Sequence, residues 1–107
     1  MKLAQARLHA MSLPEVTEQP HFNYSSFRVR GKIFVTVPPE QTHLHIFVPD
    51  AQRDLALTMD SGFVERLTWG AKVVGLRVTL AAAKPAVVKQ LISQAWFAKA
   101  PKALQEI

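Results

Sequence analysis

The chain has 107 residues, 49% of them hydrophobic, which suits one domain with one core and leaves no room for two. It contains no cysteine, which excludes disulfides, thiolate zinc sites and cysteine nucleophiles and is compatible with a reducing compartment. The net charge of +5 is segregated: Arg28, Arg30 and Lys32 lie in a stretch without acids, residues 40–65 set five acids against Arg53, and residues 66–107 set seven bases against Glu106.

Such segregation gathers positive potential that attracts phosphate, or else forms an ordinary solvated surface. No apolar run approaches the roughly 20 residues that span a bilayer. Met1 to Met11 has the pattern of a helix rather than of a signal peptide. A soluble, cytoplasmic protein is expected.

In chain order, Lys2 to Ser12 predicts a helix, with Leu3, Ala4, Arg7, Leu8 and Met11 near a 3.6-residue period, ended by Pro14. Residues 14–25, with Pro14, Pro20 and polar fillers, predict an ordered loop. Ser26–Arg30 and Ile33–Val37 flank Gly31-Lys32 as a hairpin. There Phe27 and Val29 face one way, and Arg28 and Arg30 the other. Pro38-Pro39 stops the second strand. His43 to Val48 alternates again, with Leu44, Ile46 and Val48 opposite His45 and Phe47.

Asp50 is a candidate N-cap for a helix over residues 51–59, where Ala51, Leu55 and Met59 share a face. Phe63–Thr68 predicts a short strand, Trp69-Gly70-Ala71-Lys72 a turn, and Val73–Leu80 a strand with Leu76, Val78 and Leu80 inward. Pro85 opens the last helix, whose stripe is Val88, Leu91, Ile92, Ala95 and Trp96. The order α-β-β-β-α-β-β-α argues for an α+β fold, an antiparallel sheet with helices packed on one face.

Candidate chemistry is sparse. Arg28 and Arg30, about 7 Å apart along one strand face, match the spacing of successive phosphates. Lys32, Lys72 and Arg77 would extend that patch, although exposed basic strands also guard against edge-to-edge aggregation. His43 and His45 share a side, but no third ligand is forced close, so no metal site is expected. The serines lack a nucleophile elbow and the four glycines form no phosphate-cradling motif, so neither catalytic residues nor cofactors are expected.

Ser12-Leu-Pro-Glu15, His21-Phe22, Ser26-Phe-Arg-Val-Arg-Gly-Lys-Ile-Phe34, Trp69-Gly70, Gly75, Val78, Leu80, Ala95-Trp96, Ala100-Pro-Lys102 and Leu104 together resemble the MmcQ/YjbR family over nearly the whole chain. The resemblance implies a single domain over residues 1–107 with the α+β fold that this family shares with frataxin-like proteins. It also implies DNA binding, a description resting on likeness to a double-wing DNA-binding fold. The chain departs from the pattern at Leu76, where a tryptophan is common, and at Asn23, where a glycine is common.

The expectation is a non-enzymatic DNA-binding protein that contacts phosphates of duplex DNA through Arg28, Arg30, Lys32, Lys72 and Arg77. The alternatives are a protein-interaction module, or a small-ligand domain with a pocket near His21, Phe22 and Trp69. The oligomeric state is not legible.

Overall fold

Helices and antiparallel strands alternate much as the sequence suggests, with one strand more. The structure, a computed structural model, describes residues 1–106. It runs α1 (Leu3–Ser12), β1 (Val16–His21), β2 (Tyr24–Val29), β3 (Lys32–Val37), β4 (His43–Ile46), α2 (Asp50–Met59), β5 (Val64–Trp69), β6 (Lys72–Thr79), a 3-10 turn at Leu80–Ala82, α3 (Pro85–Lys99) and α4 (Lys102–Gln105). The strands form one antiparallel sheet in the order β1-β2-β3-β4-β6-β5. Helices α1, α2 and α3 pack against it, and all three supply buried side chains to one core.

The additional strand is β1, which falls in the segment expected to be a loop. It pairs with β2 from Val16↔Val29 to His21↔Tyr24. As an edge strand it tolerates Pro20, because a proline there leaves no interior ladder bond unmade. Its Glu18 accepts hydrogen bonds from Arg7 Nε at 3.0 Å and from Ser25 Oγ at 2.7 Å. Polar residues that look like loop fillers thus have partners, but the partners come from α1 and β2.

The α3 stripe is buried as expected: Val88, Leu91, Ile92, Ala95 and Trp96. Trp96 Nε1 also donates to Pro14 O at 3.0 Å, tying α3 to the end of the first helical segment. Helices α1 and α2 turn different faces inward than their large side chains suggest. In α1 it is Ala6 and Ala10 that are buried, while Leu8 is 74% exposed. In α2 it is Ala56, while Leu55 and Met59 face out. Small residues let a helix approach its neighbours closely, and that contact outweighs the burial of a leucine. Asp50 is the first residue of α2 rather than its cap, which is Pro49. Its carboxylate still suits the positive end of the helix and accepts from Arg53 at 3.0 Å.

The β2–β3 turn places Arg30 and Gly31 at φ 50° and 80°, the paired left-handed conformation that matches strand twist in a two-residue hairpin. Register slips after Phe27↔Val35 to Arg28↔Ile33, so Phe34 is the extra residue of a bulge, and Phe34 and Val35 are both buried.

The central ladder pairs β4 with β6 through His43↔Thr79, Leu44↔Val78, His45↔Arg77 and Ile46↔Leu76. Beside it, a Cβ on Gly75 would stand 2.5 Å from Ile46 O and 3.3 Å from Phe47 Cα. Because both neighbours are backbone, they yield only if β4 shifts. Gly75→Ala is therefore expected to lower unfolding free energy by about 1–3 kcal/mol. Gly62→Ala, where nothing lies within 4 Å, should stay within about 0.5 kcal/mol of the parent. Urea denaturation of both variants checks the contrast; equal effects would remove it.

Candidate functional site

Side chains alternate across a strand, so the residues beside the core-facing Val35, Ile46 and Leu76 project from the opposite face. Thr36 and His45 are paired there, as are His45 and Arg77, and Arg77 and Glu65. None of these side chains belongs to the apolar core. A groove of about 770 Å³ crosses this face. Its floor is Ile33, Thr36 and His45. It is also lined by His21, Phe22 and Tyr24 around the β1–β2 turn, by Phe47, Trp69 and Lys72, and by Asp50 and Lys99 from the helices.

The groove is aromatic. The His21 and Phe22 rings lie 4.8 Å apart edge to face, Tyr24 and His45 6.0 Å apart, and Phe47 and Trp69 5.8 Å apart. Phe22 is 91% exposed and sits at φ 55°, and Trp69 is 63% exposed. A bulky residue in the left-handed region is costly and rare. The three residues expected around a pocket, His21, Phe22 and Trp69, thus line one concavity. The sequence reading did not assign Tyr24, His45, Phe47 or Lys99 to it. The alternation that set His45 and Phe47 opposite Leu44 and Ile46 was the signal that could have found two of them.

The five basic residues end up in different circumstances. Because β2 ends at Val29, Arg30 lies in the turn and does not share a strand face with Arg28. Its guanidinium makes a two-pronged pair with Glu15, with Nη2 3.0 Å from Oε2. Arg77 Nη1 lies 2.8 Å from Glu65 Oε1 across the β5–β6 ladder. Arg28 is half-buried, donating to Ser26 Oγ at 3.0 Å and to Pro20 O at 3.4 Å. Among the described residues, Arg28, Lys32 and Lys72 have no acidic partner.

Strands β2, β4 and β5 run one way and β1, β3 and β6 the other. The β2–β3 and β5–β6 turns therefore stand at the same end of the sheet, and bring Lys32 and Lys72 to that end. Among the described residues no group of three metal-ligating side chains converges, and no helix is long and apolar enough to cross a membrane.

His45 is buried at the groove floor, and burial, followed by the nearby charges of Arg77 and His43, lowers its pKa. Burial also lowers that of His9, against a backbone hydrogen bond at Lys89 that raises it; His9 Nε2 lies 2.8 Å from Ser93 Oγ. Below the ordinary imidazole pKa of 6.5 the unfolded chain takes up these protons before the folded one does, so stability falls as pH drops through that range. The carboxyls of Glu15 and Glu18 are likewise displaced downward, from their ordinary 4.5. The Arg30 hydrogen bond holds Glu15 low; at Glu18 burial acts upward and is outweighed by Arg7 and Ser25. They act only in more acidic solution. The melting temperature should therefore be lower at about pH 5.5 than at about pH 7.5. His45→Gln should remove part of that difference, and thermal melts across the window check it; the same slope with and without His45 would contradict the assignment.

A family model described as YjbR matches residues 11–98. No curated protein and no solved structure matches the chain.

Proposed function

We propose that this chain, which belongs to the YjbR family, is a non-enzymatic nucleic-acid-binding domain that holds the phosphates of duplex DNA at the hairpin end of its sheet. The observation that carries this reading is the position of the two hairpin turns. They stand at one end of a single sheet, with Lys32 and Lys72 opening the strands that follow; Arg28 lies one residue from the end of β2, its guanidinium turned back toward Ser26 and Pro20. All three cations lack an acidic partner among the described residues, and the chain carries a net charge of +5. A positive zone of this kind attracts a polyanion without reading its sequence.

Arg30 and Arg77 join the contact once a phosphate competes with Glu15 and Glu65. Those ion pairs are largely exposed, and exposed pairs are weak. Binding of a short duplex should weaken steeply with salt, and the combined Arg28→Glu, Lys32→Glu and Lys72→Glu variant should lose it while keeping its fold. Glu15→Ala with Glu65→Ala should bind more tightly, with a salt slope steeper by about 1 for each phosphate gained. Anisotropy titrations over a range of salt measure all three. Unchanged affinity in the charge-reversed variant would remove the hairpin assignment.

The groove favours a second reading, a small-ligand domain, because its volume lies within the roughly 300–1,000 Å³ of ligand clefts. Thermal-shift screening against soluble metabolites tests that reading, and a flat response across a broad panel counts against it.

A further inference from the structure

The groove on the open face differs in kind from the cationic hairpin end. Phosphate contacts alone need no aromatic groups, yet Phe22 and Trp69 both line this groove and stand largely in solvent. Folding gains little from either placement. Phe22 sits in a left-handed turn conformation disfavoured for a bulky side chain, and Trp69 leaves most of its surface unburied. Local strain and exposed aromatic area at one concavity are the features of a surface shaped for a planar ligand.

Polar groups suited to the edge of such a ligand lie on the floor. None of the side-chain hydrogen bonds among the described residues engages the His45 ring, and no buried side-chain nitrogen is left unpartnered, so its ring nitrogens reach the groove solvent. A neutral imidazole offers one donor and one acceptor. The Thr36 hydroxyl lies on the neighbouring strand, opposite His45.

Charge narrows the class further. Lys72 and Lys99 line the groove without acidic partners among the described residues, whereas the carboxylate of Asp50, which also lines it, is matched by Arg53 at 3.0 Å. The concavity therefore combines stacking surfaces, a hydrogen-bonding floor and unopposed positive charge. That combination fits unpaired nucleotides, whose bases expose two flat faces and whose linkages carry negative charge. A duplex keeps those faces stacked inside.

We propose that this groove binds single-stranded nucleic acid, stacking unpaired bases on Trp69 and Phe22 while Lys72 and Lys99 meet the adjoining phosphates. The proposal rests on the nucleic-acid reading above and adds to it a preference for single strands. Duplex contacts at the hairpin end use phosphates alone; a single strand shares Lys72 with them, adds Lys99 and gains the stacking.

The test titrates the full chain with a fluorescein-labelled oligothymidylate of about ten nucleotides and with a blunt duplex of equal length. The single strand should bind about tenfold more tightly than the duplex, and Trp69→Ala and Phe22→Ala should each weaken single-strand binding about tenfold while leaving duplex binding and the melting temperature unchanged. Binding should also quench tryptophan emission. Trp69→Phe should abolish the quenching while retaining most of the affinity, because the remaining Trp96 is buried. Equal affinity for both probes, or single-strand binding indifferent to the alanine variants, overturns the groove assignment and leaves the phosphate reading standing. Absence of binding to either probe overturns both.

Discussion

The structure depends on the ladder between β4 and β6. The chain makes one block of strands before α2 and a separate hairpin after it, and only this ladder joins them into one sheet. Its close approach is possible because Gly75 has no side chain to meet the Ile46 carbonyl. Without that approach the turn carrying Phe22 and the hairpin carrying Trp69 would have no shared surface. The groove exists because two distant segments are held at strand spacing.

That junction also divides the molecule into two faces with different chemistry. On one, Leu44, Ile46, Leu76 and Val78 meet the alanine faces of α1 and α2 and the broad apolar stripe of α3. On the other, β3, β4, β6 and β5 carry Thr36, His45, Arg77 and Glu65 in turn, a row too polar to hold a covering helix. Burial of the first face stabilises the fold and leaves the second outside the apolar core.

Charge is distributed with the same economy. Of the five candidate cations, Arg30 and Arg77 are paired with acids, while Lys32, Lys72 and Arg28 are left without them. The net positive charge is therefore concentrated at fewer points than a count of basic residues implies. Two of those points, Lys32 and Lys72, open the strands that follow the β2–β3 and β5–β6 turns.

The α+β class, the apolar faces of β2, β4 and β6 and the buried stripe of α3 were legible in the residues alone. Each rests on a periodicity enforced locally by backbone geometry. Strand β1 was not legible, because its polar side chains and Pro20 become acceptable only beside β2 and α1. Nor were the inner faces of α1 and α2, where closeness to a neighbouring element selected alanine over leucine. The pocket residues His21, Phe22 and Trp69 could be named from the sequence, but not the surface that unites them with His45 and Lys99. That surface depends on which strands become neighbours, and the spacing of side chains along a chain carries no record of long-range pairing.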